Sequence, residues 1–242
     1  MSLTVAHLSA GYSEQDVIAD ISFTLTAGDL LAVLGANGAG KTTLLSAIMG
    51  MLPARKGSIH LDEADLTEAA PEQRVRAGFA YVPERREFFN DYSTRRNLEA
   101  AIWWLPQADI NSRLTEALEF FPDLRDRMEV RAGLLSGGQQ QMLAFARAFI
   151  QHPRVMVVDE PTIGLAPLAV SAITDFLARF AQRSGMAILL TEQNMRVGLA
   201  AATNALVLAQ GRVAWSGPAR ELDPADVERA YFAGSPEPAR HV

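Results

Sequence analysis

Residues 35–42 read Gly35-Ala36-Asn37-Gly38-Ala39-Gly40-Lys41-Thr42, which satisfies the pattern G-x-x-x-x-G-K-[ST] in full. Glycines let the backbone curl until successive N–H groups point inward, where phosphate oxygens can accept from them. Before this turn, Leu30–Leu34 is a continuous apolar run, the mark of a strand covered on both faces. After it, residues 42–51 carry a helical pattern. A helix beginning there turns its free N–H groups and positive dipole end toward the same anion. Lys41 supplies a mobile charge for the terminal phosphates, and the Thr42 hydroxyl can sit on Mg²⁺. At ordinary glycine frequencies a chance match arises about once in a hundred chains of this length. Gly35, Asn37, Gly38, Ala39, Gly40, Lys41, Thr42 and Thr43 are the expected nucleotide-binding residues.

Outward from the loop, two more runs read as buried strands, 155–158 and 187–191, each joined to helical pattern by a short loop. Strand and helix in alternation predict an α/β fold with a mainly parallel sheet. The first 28 residues read differently, as short alternating strands at 3–9 and 21–26, and predict an N-terminal antiparallel β region. Residues 88–152 are helical in pattern, with apolar residues at helical spacing over 95–104, 110–121 and 139–151. The expected organisation is a single domain. Its core comprises residues 1–87 and 153–233, interrupted by a helical subdomain at 88–152. Toward the end, runs at 206–209 and 213–216 flank Gln210-Gly211 as a hairpin would. Asp223-Pro224 reads as the start of a last helix, followed by a frayed tail over 234–242.

The strand at 155–158 runs straight into Asp159-Glu160. In parallel sheets ligands sit beyond the carboxyl ends of strands, so these carboxylates are chemical candidates. Asp159 would reach Mg²⁺ through water, and Glu160 would accept a proton from an attacking water. A second helix opens at Leu135-Ser136-Gly137-Gly138-Gln139, with Ser136 as N-cap and a first turn bared by glycines. Physics leaves two readings open here: a second phosphate-binding helix start, or an ordinary capped helix.

Bulk properties narrow the field. The net charge is −6, from 22 basic and 28 acidic residues, which opposes sequence-independent nucleic-acid binding and a polybasic membrane anchor. With no cysteine in 242 residues, disulfides, thiolate metal sites and cysteine nucleophiles are excluded. The start shows no secretory signal, and no apolar run approaches the roughly 20 residues of a membrane span, so any membrane role is expected to be peripheral.

With Leu135-Ser136-Gly137-Gly138-Gln139 in place between the phosphate loop and the acidic strand, residues 3–233 resemble the ATP-binding-cassette (ABC) ATPases, whose signature is LSGGQ. The resemblance implies ATP and Mg²⁺ as cofactors. It also implies a head-to-tail pair in which each ATP lies between one subunit's phosphate loop and the other's signature. Ser136, Gly138 and Gln139 would then touch nucleotide across the pair. Tyr12 looks like the aromatic residue that stacks on adenine. Glu84 falls at the place of the Q-loop glutamine and Gln193 at that of the switch histidine, while residues 163–167 occupy the D-loop position. The implied catalytic set is Glu160, Lys41 and Gln193; the implied metal set is Thr42, Asp159 and Glu84. A neutral amide at 193 cannot be protonated near neutrality, so no imidazole step near about pH 6.5 is expected in the rate.

The stretches Tyr81-Val82-Pro83-Glu84-Arg85, Thr191-Glu192-Gln193-Asn194 and 161–167 resemble one branch of the family. That branch is the smaller of the two ATPase subunits of branched-chain amino acid importers, whose close relatives import urea or short amides. Arg85 departs from the branch, which usually has glycine there. The resemblance implies a second ATPase subunit, identical or a sister chain, and transmembrane permease subunits as partners, with the chain peripheral on the cytoplasmic face of the inner or plasma membrane. In the helical insertion, Phe88 and Phe89 are expected at a docking surface, whereas Trp103 and Trp104 are expected in the subdomain core. The competing readings are an ABC ATPase that serves assembly or regulation, and a P-loop kinase or GTPase. The latter lacks a second-substrate pocket and the N-K-x-D pattern.

Overall fold

The computed structural model describes residues 1–12 and 14–223. The helix expected from Pro224 and the tail at 234–242 lie outside the described residues. The chain begins with a hairpin of β1 (Ser2–Ala10) and β2 (Ile18–Thr26), and β4 (Lys56–Leu61) with the two-residue β5 (Ala64–Asp65) completes an antiparallel sheet of order β2-β1-β4-β5. The second sheet has the order β10-β9-β3-β8-β7-β6, built from β3 (Leu30–Leu34), β6 (Phe79–Val82), β7 (Val155–Asp159), β8 (Ala187–Glu192), β9 (Asn204–Ala209) and β10 (Arg212–Pro218). All its pairings are parallel except the β9–β10 hairpin, whose turn is Gln210-Gly211 as expected.

The apolar runs are explained by two-sided burial. Leu30, Ala32 and Leu34 pack into one core, and Leu31 and Val33 into the other. The same alternation holds for Met156 and Val158 against Val155 and Val157, and for Ile188 and Leu190 against Ala187 and Leu189. One core lies between the two sheets, where α1 (Lys41–Ile48) touches both β1 and β7. The other lies under α5 (Gly137–Phe149), α6 (Pro167–Ser184) and α7 (Met195–Ala201). Fully burying one such side chain is worth about 1.5–3 kcal/mol, so a strand of five closes both layers at once.

Beyond α2 (Pro71–Ala77), which precedes β6, the helical segment contains α3 (Thr94–Ala100), α4 (Gln107–Phe120), two short 3₁₀ turns and α5. It shares its core with the sheet. Phe120, Phe121, Phe145 and Phe149 meet Phe176 and Phe180 of α6, with ring centroids 5.2 to 5.7 Å apart.

One expectation is overturned here. Trp103 and Trp104 are 76 % and 56 % exposed, and their rings meet each other edge-on. The helical pattern read over 95–104 stops at Ala100, because the chain must turn before Pro106, the N-cap of α4. Leu98 and Ile102 take the core positions instead, and the tryptophans fall on the outside of the turn. A smaller difference is that α1 ends at Ile48 rather than at residue 51.

Register places the chemistry. Leu34 pairs with Glu192, and Asp159 with Thr191, so β3, β8 and β7 end level with one another. The loops that follow therefore leave the middle of the sheet side by side.

Candidate functional site

The turn after β3 closes on Gly40, the N-cap of α1, whose φ is 105°. A Cβ at Gly40 would stand 2.6 Å from Ile18 Cγ2, so the left-handed turn and the packing beneath it both require glycine. No side chain caps α1, which leaves its first N–H groups free.

Above the turn lies an open cavity of about 390 Å³ lined by Val17, Asn37, Gly38, Gly40, Lys41, Thr42, Thr43, Glu84, Glu160 and Ile163. Four segments converge there: the turn before β2, the loop, the segment after β6, and the segment after β7. Lys41 is only 4 % exposed. Its Nζ donates to the carbonyls of Gly35 at 2.7 Å and Ala36 at 3.2 Å, and pairs with Glu160 Oε1 at 3.0 Å. Glu160 sits at φ 42°, a left-handed backbone that side chains rarely adopt. Its N–H donates to Thr191 O at 3.1 Å.

Asp159 lies beneath the cavity wall, 3 % exposed. Thr191 Oγ1 donates to its Oδ1 at 2.6 Å, and the Tyr81 hydroxyl to its Oδ2 at 3.2 Å. Burial, and then the neighbouring Asp159 carboxylate, push the Tyr81 phenol well above its ordinary range, so Tyr81 stays a donor. Glu192, the last residue of β8, is 2 % exposed and accepts from Thr162 Oγ1 at 2.7 Å. Its carboxyl is raised above the ordinary glutamate value, first by burial and also by the charge of Glu160.

The remaining expected residues lie away from the cavity wall. Gly35 and Ala39 form the buried floor of the turn. Tyr12 is 68 % exposed beyond the end of β1, and Gln193 is exposed just after β8. Ser136 and Gln139 cap α5 reciprocally: Gln139 N–H donates to Ser136 Oγ at 3.3 Å and Ser136 N–H to Gln139 Oε1 at 3.0 Å. The α5 start is held against the segments next to the cavity. A Cβ on Gly137 would come 2.9 Å from Leu165, and Arg86 donates both to Gln141 Oε1 of α5 at 2.8 Å and to Ile163 O at 3.2 Å. Gly138 faces Ala169 of α6. Sequence reasoning missed roles for Tyr81, Arg86, Gln141, Thr162, Thr191 and Glu192. The available signal was a carboxylate at the end of a fully buried strand, which singles out Glu192 by the same rule as Asp159.

A parallel sheet whose central strand turns through a glycine loop into a helix, with a lysine and a carboxylate at the mouth, defines a P-loop nucleoside triphosphatase. The family model described as ABC transporter matches residues 18–163. The chain is 36 % identical over 220 residues to the probable branched-chain amino acid transport ATP-binding protein LivF of Archaeoglobus fulgidus, covering 91 % of this chain and 93 % of that protein. It is 35 % identical to the high-affinity branched-chain amino acid transport ATP-binding protein BraG of Pseudomonas aeruginosa, over 96 % of this chain and all of that one. The lipopolysaccharide export system ATP-binding protein LptB of Escherichia coli K12 is 31 % identical, with 96 % and 97 % covered. Among solved structures, CbiO1 of Clostridium perfringens, part of the ABC transporter complex CbiONQ, superposes with a TM-score of 0.84 at 26 % identity, covering 94 % of this chain and 91 % of that one. The chain therefore belongs to the ABC transporter family, as an ATP-binding and ATP-hydrolysing subunit. Among the described residues, no helix is long and apolar enough to cross a membrane.

Proposed function

We propose that this chain powers a transporter of branched-chain amino acids or related small amides, by closing on ATP with a second ATPase subunit and transmitting the motion to transmembrane permease subunits. The names borne by LivF and BraG support the cargo class, and nearly full-length coverage on both sides supports an equivalent role. The work would be done at the cytoplasmic face of the inner or plasma membrane. The division into a core of 1–87 and 153–233 and a helical arm of 88–152 goes with this reading, the arm carrying the signature.

The observation that carries the mechanism is the buried Lys41–Glu160 pair at the cavity mouth. Lys41 Nζ pairs with Glu160 Oε1 at 3.0 Å. Phosphate oxygens entering the cradle of Gly35, Asn37, Gly38, Ala39, Gly40, Thr42 and Thr43 take the lysine over. Glu160 is then free to hold a water in line and accept its proton. The oxygen donors suit Mg²⁺. Thr42 and Glu84 line the same cavity, and among the described residues no group of three or more acidic or histidine side chains could hold a metal alone. That is the habit of an ion held by one or two carboxylates together with substrate phosphates. When bound, Mg²⁺ would neutralise charge on the phosphates, with Thr42, Glu84 and Asp159 as its protein-side oxygens. Tyr81 and Thr191 each donate to one oxygen of Asp159 and so fix its carboxyl group beneath the cavity wall. Tyr12, exposed, would stack on adenine. Ser136, Gly138 and Gln139 would meet the partner subunit's nucleotide, and Gln193 would donate to the terminal phosphate.

Copurification from membranes tests the assignment. Recovery with permease subunits, and transport of branched-chain amino acids by the reconstituted complex, is expected. Recovery with no membrane protein would overturn the transport reading.

A further inference from the structure

Glu192 has no part in the mechanism above, yet its carboxyl is among the most deeply buried acidic groups of the chain. What faces it are donors from two segments. Thr162 offers its hydroxyl at 2.7 Å and also its amide, and Asn194 offers its amide. Thr162 lies two residues after Glu160, in the loop whose Ile163 lines the phosphate cavity. Gln193 and Asn194 follow Glu192 directly, and the Asn194 side chain caps α7 by accepting from the amides of Arg196 and Val197.

The end of β8 thus holds the turn after β7 at two points. Thr191 O accepts from the Glu160 amide at 3.1 Å, and Glu192 accepts from Thr162. Between these anchors Glu160 keeps its φ of 42°. A strained conformation of this kind persists only where the surroundings over-determine it. A carboxylate held out of water is also unfavourable unless several donors converge on it, as they do here.

We propose that Glu192 is a positioning residue for hydrolysis: through Thr162 it fixes the strained turn that aims Glu160 into the cavity, and it ties that turn to the segment bearing Gln193. The proposal rests on Glu160 being the group that acts on the attacking water. It separates chemistry from binding, because the phosphate loop and Lys41 make no contact with Thr162 or Glu192 through any hydrogen bond described above.

The test measures Mg·ATP turnover and nucleotide affinity for Thr162→Ala, Thr162→Ser, Glu192→Leu, which has no acceptor for the Thr162 hydroxyl, and the double variant Thr162→Ala/Glu192→Leu. A misplacement of about 1 Å at a reacting centre can cost on the order of a hundredfold in rate. Thr162→Ala and Glu192→Leu should lower kcat about tenfold or more, with ATP affinity held within about twofold. Thr162→Ser, which keeps the hydroxyl, should restore near wild-type kcat. The double variant should be no slower than the slower single one, because both substitutions break one contact. Wild-type kcat in both single variants would overturn the proposal. So would losses that multiply, or a serine variant as slow as the alanine one, or affinity that falls in step with kcat. Glu160→Gln is measured alongside: if it turned over normally, the reading of Glu160 would fail, whatever the Glu192 series shows.

Discussion

Lys41 and Glu160 make the free energy of the nucleotide-free protein depend on a pair that the reaction must break. Consider Lys41→Met, which keeps most of the length of the unbranched side chain and removes its charge. The Glu160 side chain is 8 % exposed, so it is left as a buried carboxylate without its cation. Removing one member of a buried pair costs about 3–5 kcal/mol. Of the two carbonyls that lose Lys41 as donor, that of the exposed Ala36 can return to water, so the lower end of that range, about 3 kcal/mol, applies. For a chain of this size about 1 kcal/mol moves Tm by roughly 2–4 °C, which gives a fall of about 6–12 °C without nucleotide. Glu160→Gln added to Lys41→Met removes the stranded charge and should recover at least about 2 kcal/mol of the loss. Chemical and thermal denaturation of the four proteins, wild type, two singles and the double, form the assay. If the double variant were no more stable than Lys41→Met, or if Lys41→Met left Tm unchanged, the buried pair would not be the element that holds Glu160 in check.

Three further outcomes are expected. Trp103→Ala and Trp104→Ala should each cost less than about 1 kcal/mol in denaturation, as exposed residues do, where a core tryptophan would cost about 3–5 kcal/mol. Truncating Phe88 and Phe89 together, the second of which is 54 % exposed, should abolish transport by the assembled complex while basal ATP hydrolysis continues; full transport would remove the docking role of this patch. Burial raises the Glu192 carboxyl above the ordinary glutamate value of 4.5, so its favourable contribution is complete below that pH and is lost as pH rises through the folded value. Glu192→Gln should therefore gain stability relative to wild type as pH climbs from about 4.5 toward neutrality. A stability difference that stays constant over that interval would show that the carboxyl does not titrate there.

How much of this was legible in the sequence depended on whether local pattern and tertiary demand agreed. β3, β7 and β8 were readable because two-sided burial makes these short strands apolar up to their carboxyl ends. The phosphate loop was readable because its glycines answer a backbone need that no other residue meets, as the Ile18 contact under Gly40 shows. β6 (Phe79–Val82) went unassigned: four residues give too little pattern, and its place at the sheet edge comes from pairing with β7. Trp103 and Trp104 were misplaced because helical spacing was carried past the point where Pro106 forces a turn. Asp159 and Glu160 could be read from their position at the end of a buried strand. Glu192 occupies the same kind of position, but its partner Thr162 is 30 residues distant in sequence, and only the level ends of β7 and β8 bring the two together.

The central claim is that Glu160, released from Lys41 when phosphate arrives, acts on the water that attacks ATP. Side-by-side measurement of Mg·ATP binding and turnover in wild type and Glu160→Gln tests it most directly. The account predicts that binding survives within about tenfold, with turnover down on the order of a hundredfold or more. Turnover near the wild-type rate, with binding intact, would contradict it.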